Sequence, residues 1–221
     1  SKSYSKVDSF RVSLIVTTNY GCIDSTAKKV YVFPMPVAAF NIAPPSSCFK
    51  KNVFNIVNSG RLSGSIINVG TSGHRLIDLE NRWNNDVLAY KPTLVSVAIG
   101  INDTWRRYDD NDPTTVEDFE ERYHRVLTAT KAQGNPQLVL CEPFLLEVRD
   151  EMNTWREDLN PKIAVVHKMA AEFGAKLVPF DQHFKAISSE MAMVELADDG
   201  IHPSKLGHQI MADLWLRTVG L

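Results

Sequence analysis

Asp199 and His202 stand three residues apart in the segment DDGIHP, just ahead of a helix-forming stretch. On a tight loop that spacing lets the carboxylate accept from one imidazole nitrogen and leaves the other free as a general base. These are two of the three members of a nucleophilic triad. Asn102, in AIGIND, follows an apolar run and carries an amide that can donate to an oxyanion. Gly73, in NVGTSG, follows another such run and can offer a backbone N–H to the same point. Together they suit acyl transfer: a base, its orienting carboxylate, and two donors for charge developing on a carbonyl oxygen.

Such residues need elements that bring them together. From about residue 65, short apolar runs alternate with longer helical stretches. SIINVG (65–70), TLVSVAIG (93–100), QLVLCEPF (137–144) and AKLVPF (175–180) read as buried parallel strands. The segment 114–134 reads as a helix capped by Thr114 or Thr115, with an apolar stripe of Phe119, Tyr123, Val126 and Leu127 and a stop at Gly134. The segment 160–174 repeats the design with Asn160 as cap, Pro161 at the first helical position and Gly174 at the end. The last helix, 204–219, opens at Ser204. Strand and helix in series predict an α/β fold, a parallel sheet with helices on both faces, whose site lies at the carboxyl ends of the strands.

Residues 1–60 have a different rhythm. FRVSLIVTT (10–18), KKVYVF (28–33) and NVFNIV (52–57) alternate as strands, with turn residues between them, and predict a partial β-sandwich. Charge divides the same way. The formal net charge of -2 is the sum of +5 over residues 1–60 and -7 over residues 61–221, and all four Trp lie in the later part. The expected domains are therefore 1–60 and 61–221. Neither has the basic face that nucleic-acid binding needs, and no apolar run is long enough to span a membrane. The chain shows no start Met or signal peptide and reads as a piece of something longer.

The remaining candidates read more plainly. His74, His124, His167, His183 and His208 have no metal-like spacing, so neither a metal nor another cofactor is expected. The four Trp read as packing residues, with Trp105 also placed to line an acyl or sugar pocket. Cys22 and Cys48, both in the strand-rich segment, are candidates to pair in an oxidising compartment; Cys141 reads as an inert core thiol.

Residues 65–221 resemble the SGNH, or GDSL-type, ester hydrolases. NVGTSG with Gly73, GIND with Asn102, and DDGIHPSKLGH with Asp199 and His202 stand in the order of the family's second, third and last blocks. DLENRWNNDVLAYKPTLVSVAIGINDTWRRYD and CEPFLL are similar to flanking stretches of members. The resemblance implies a three-layer flavodoxin-like fold and hydrolysis of acetyl or other short-chain acyl esters, including those of saccharides. The first block, Gly-Asp-Ser, is nowhere in the sequence, so the nucleophile is unassigned. Ser59 follows a strand but lies only six residues before Ser65, where the next strand is expected to open, and a parallel crossover needs about a dozen. Ser25 has an Asp before it and lies 48 residues ahead of Gly73, across a proline-punctuated stretch; Ser9 sits in or before a strand. FRVSLIVTTNYGCIDSTAKKVYVFPMPVAAF resembles PKD-like β-sandwich repeats, which implies a secreted or cell-surface protein and a spacer or adhesion role for residues 1–60. An inactive chimeric or truncated product is the alternative to an active hydrolase.

Overall fold

The computed structural model describes residues 8–17, 23–32, 52–57 and 63–220, with side chains from residue 66 onward. The chain divides into two compact units, Ser1–Gly70 and Thr71–Leu221. In the first, β1 (Asp8–Thr17) pairs antiparallel with β2 (Ile23–Val32), and β3 (Asn52–Val57) with β4 (Ser63–Asn68). The alternating β-branched runs thus form strands. The expectation that 65–70 is a parallel strand is corrected, because β4 runs antiparallel to β3. Five residues between Val57 and Ser63 suffice for a hairpin and not for a crossover. Cys22, Cys48, Ser59 and the PVAAF end (36–40) of the repeat-like stretch lie outside the described residues.

The second unit is an α/β layer structure around three parallel strands in the order β5 (Leu94–Ala98), β6 (Gln137–Cys141), β7 (Lys176–Val178). Alternation along the strands sends their side chains to opposite faces. Val95, Val97, Leu138 and Leu140 pack with α1 (Leu76–Asp86), α3 (Val116–Ala132) and α4 (Arg156–Glu172). Val139, Cys141 and Val178 pack with α5 (Phe180–Ile187) and α7 (Lys205–Val219). Helix α2 (Ile101–Asp109) follows β5 almost directly, and the one-turn α6 (Met193–Leu196) lies between α5 and α7.

Helix boundaries follow local chemistry. The Thr115 hydroxyl accepts from Asp118 N–H at 3.1 Å and starts α3, whose stripe of Phe119, Tyr123, Val126 and Leu127 is buried. The Ser204 hydroxyl does the same for α7 through Gly207 N–H at 3.0 Å. The expected start at Asn160 and Pro161 is corrected. The helix begins at Arg156, continuing a 3-10 turn over Asp150–Trp155, and Pro161 is its sixth residue. There Pro removes only the bond to the Glu157 carbonyl, while Arg156 is held by both carboxylate oxygens of Asp181 at 2.8 and 2.9 Å. The strand expected over 175–180 stops at Val178, because Pro179 opens α5 instead.

Candidate active site

His202 Nδ1 lies 2.6 Å from Asp199 Oδ2, and Asp199 Oδ1 accepts from Ile201 N–H at 2.9 Å and His202 N–H at 2.8 Å. Burial pushes the Asp199 carboxyl up, but the imidazole and the two backbone donors outweigh it and bring it down to about 2. It is ionised at neutral pH, so it holds a proton on Nδ1 and leaves Nε2 as the basic nitrogen. The His202 side chain is 63% exposed. A proton acceptor in that position can meet a substrate from solvent.

The loop that carries the pair is fixed by a close backbone approach. Gly200 has φ +83°, and its carbonyl accepts from Leu146 N–H at 2.9 Å. A Cβ at this residue would come within 2.2 Å of the Leu146 carbonyl, so the contact admits only glycine. Asp199 and His202 are thereby tied to the segment that continues from the carboxyl end of β6.

Asn102, expected as a polar residue at a strand's end, is the second residue of α2. Gly100, at φ +123°, turns the chain from β5 directly into that helix. Asn102 Nδ2 donates to the His74 carbonyl at 3.0 Å. Gly73, exposed and at φ +78°, immediately precedes His74. Its N–H has no hydrogen-bond partner among the described residues. The Asn102 amide has a second N–H beyond the one that the His74 carbonyl takes. Two N–H donors are thus presented by adjoining segments.

Trp105 joins this half to the other. It lies one turn after Asn102 on the same face of α2, and its ring meets the His202 imidazole edge-on with centroids 5.9 Å apart. Trp155 backs Trp105 at 6.2 Å. The structure therefore brings Asn102, His202 and Asp199 to the carboxyl-end side of the sheet, where open α/β sheets place their ligands. A cavity of about 430 Å³ lined by Leu94, Gln137, Lys176 and Val219 opens instead at the amino ends of the strands. It contains none of these groups.

The profile of the GDSL-like Lipase/Acylhydrolase family matches residues 57–210. The chain belongs to this family. Among its relatives is an acetylxylan esterase from Geobacillus stearothermophilus, 33% identical over 158 residues that cover 70% of this chain and 72% of that one. A solved structure of that esterase superposes with a TM-score of 0.66 at 32% identity, covering 71% of this chain and 73% of its own. A GDSL-like lipase from Parabacteroides merdae superposes with a TM-score of 0.67 at 34% identity, covering 70% and 72%. The thioesterase 1/protease 1/lysophospholipase L1 of Escherichia coli is 26% identical over 69% of this chain and 65% of its own. The acetylxylan esterase and the thioesterase/lysophospholipase are ester hydrolases, and the superposed structures share the α/β fold with helices flanking a parallel sheet.

Serine placement is less complete. Ser9 lies in β1 opposite Tyr31, and Ser25 in β2 opposite Ile15. Ser59 falls inside the stretch matched to the family. Among residues 66–220 no serine hydroxyl hydrogen bonds to His202. No group of three or more His, Cys, Asp or Glu among them is arranged to hold a metal, and no helix is long and apolar enough to cross a membrane. Of the other histidines, His167 on α4 meets the buried Glu142 just after β6 at 2.5 Å, and His124 on α3 meets Glu172 on α4 at 2.9 Å on the surface. Cys141 is buried, which pushes its thiol up to about 12. Asp103, beside Asn102, is a residue that no spacing in the sequence marks. It is fully buried and accepts from Leu76 N–H, a partner 27 residues away that no local pattern signals.

Proposed function

We propose that this protein is a serine ester hydrolase of the GDSL-like family acting on short-chain acyl esters, above all acetyl groups on saccharides. The observation that carries the reading is the 2.6 Å contact of His202 Nδ1 with Asp199. It leaves Nε2 to take the proton of a serine hydroxyl as that oxygen attacks the ester carbonyl. The carbonyl oxygen becomes an oxyanion, which the Gly73 N–H and the second Asn102 N–H are suited to receive. Nε2–H then protonates the departing alcohol. Water, deprotonated by the same nitrogen, releases the acid and restores the serine. Kinship to the acetylxylan esterase supports the acetyl-saccharide substrate. Among the solved structures of that relative are catalytic mutants with alanine in place of a serine and of a histidine.

The attacking serine is unassigned; of the candidates Ser9, Ser25 and Ser59, only Ser59 falls within the stretch matched to the family. Residues 1–60 are a PKD-like spacer on this reading, and the protein works outside the cell or at its surface. A fluorophosphonate probe followed by peptide mapping tests the assignment. Labelling of one serine that is lost in His202→Ala supports the hydrolase reading and assigns the nucleophile. No labelling together with no turnover of p-nitrophenyl acetate or acetylated xylo-oligosaccharide favours the binding or spacer reading, for which the missing Gly-Asp-Ser triplet speaks.

A further inference from the structure

Two consecutive residues of α2 grip two points of the segment that runs into α1. Asn102 donates to the His74 carbonyl at 3.0 Å, and both oxygens of Asp103 accept from Leu76 N–H, at 3.2 and 3.1 Å. Leu76 is the first residue of α1, so its N–H is one of those that the helix itself leaves unpaired. Asp103 has no exposed surface and Leu76 none either. A surface hydroxyl or water would satisfy such a donor more cheaply than a carboxylate taken fully out of water. The costly choice of group fixes geometry that water would leave loose.

That geometry concerns the amide of Asn102. Its nitrogen carries two hydrogens in one plane, and the direction of the second is set once the first is committed to His74 O. The position of His74 O in turn depends on where α1 begins, and Asp103 grips the first N–H of that helix. Arg75 N–H is taken by Asp78 Oδ2 at 2.8 Å, which holds the turn to α1 but not to α2. Of these bonds, only those from Asn102 and Asp103 tie the segment across to α2.

We infer that Asp103 is a positioning residue: by accepting the Leu76 N–H it registers the Gly73–His74 segment against α2 and so aims the free N–H of Asn102 and that of Gly73 at one oxygen. The inference rests on the ester-hydrolase reading for its catalytic meaning, while the clamp itself is a statement about structure. Asp103 touches no reacting atom and acts only through these two neighbours.

The test compares Asp103→Asn, whose Oδ1 can still accept from Leu76 N–H, with Asp103→Leu, which fills the same space and accepts nothing. With p-nitrophenyl acetate, Asp103→Leu is expected to lose about 10- to 100-fold in kcat with KM within about twofold, the cost of a misaligned oxyanion donor. Asp103→Asn is expected to retain most of kcat. In parallel, NMR hydrogen exchange should show the Asn102 side-chain amide and the Leu76 amide losing protection in the Leu variant and keeping it in the Asn variant. A folded Leu variant with unchanged kcat and unchanged exchange overturns the inference, and so does equal loss in both variants. If the Leu variant does not fold, Asp103→Ala takes its place with the same readouts. A wild-type chain without turnover defeats the ester-hydrolase reading alone, because the amide exchange still decides whether Asp103 places Asn102.

Discussion

Asp103 and Asp199 stand in two regions of one candidate site and are driven in opposite directions. Asp199, in a loop before α7, takes three hydrogen bonds, one of them from an imidazole, and is brought down to about 2. Asp103, in the first turn of α2, is dry. Burial pushes it up to about 6, against the Leu76 N–H and the more distant charges of Lys162 and Arg75. One carboxylate is kept permanently charged beside a proton carrier, and the other is kept in the core to hold backbone. The same side chain acquires different work from the number of donors around it and from the water it has lost.

The largest effect should come from breaking the charged partner. His202→Ala removes the base and Asp199→Asn leaves the imidazole in the wrong tautomer, and each is expected to lower kcat on p-nitrophenyl acetate by on the order of 10³- to 10⁴-fold. Because the His202 ring is exposed and Asp199→Asn keeps an oxygen for the Ile201 and His202 N–H groups, circular dichroism and thermal melting should change little. Undiminished turnover in either variant would sink the assignment of the pair.

Next comes the charge nearest the other carboxylate. Lys162 is fully buried, with its ammonium on Asp158, itself 5% exposed and, among the described residues, otherwise paired with Arg107 alone at 3.3 Å. Lys162→Met leaves the Asp158 carboxylate buried with one long contact, which costs about 3–5 kcal/mol in urea unfolding. It also removes a positive charge that helps to keep Asp103 ionised, so the Asp103 titration should move to higher pH. A loss below about 1 kcal/mol would mean that Arg107 alone satisfies Asp158.

How much of this the chain disclosed in advance follows from the range of each interaction. Asp199 and His202 are three residues apart, and Ser204 caps Gly207 over the same distance, so local spacing sufficed for both. Thr115, Phe119, Tyr123, Val126 and Leu127 likewise carried their helix in their own period. Asp103 did not, because its partner lies on another helix and burial is a property of the assembled core. Arg156 is the same case: its bonds to Asp181 reach across 25 residues and draw α4 back past a proline that, read locally, marks a helix start. The direction of β4 was settled by the length of the connection before it, a constraint that its own apolar residues could not express.

Titration of Asp103 gives a third effect, on the order of 3 kcal/mol. Its ordinary value is 3.8 and its folded value about 6. Between roughly pH 4 and pH 6 the folded chain therefore holds a proton that the unfolded chain has released. Stability must fall as pH rises through that window, the reverse of what a salt-bridged carboxylate does. Asp199, brought down instead, contributes stability that is present above pH 3.8 and lost only as pH approaches 2, so it leaves the pH 4–6 window flat. Urea midpoints measured from pH 4 to pH 7 should show the decline in the wild type and lose most of it in Asp103→Asn. A flat wild-type profile would mean that Asp103 is not as dry as its burial implies.

The smallest effect on stability is expected at Gly73, and it separates the two regions most finely. Gly200 and Gly73 both have positive φ, +83° and +78°. A Cβ at Gly200 would strike the Leu146 carbonyl, whereas at Gly73 nothing lies within 4 Å. Gly73→Ala thus meets only the intrinsic cost of a left-handed backbone, about 1 kcal/mol, and the fold should absorb it. The chain can also relieve that strain by rotating the 72–73 peptide, which turns the Gly73 N–H away from the point that Asn102 faces. Activity should then fall further than stability does, by about tenfold or more in kcat, while Gly200→Ala should damage both together because it displaces the loop that carries Asp199 and His202. If Gly73→Ala melts about 1 kcal/mol lower with kcat intact, the glycine serves the turn alone, and Asn102 is left as the single donor from this half of the site.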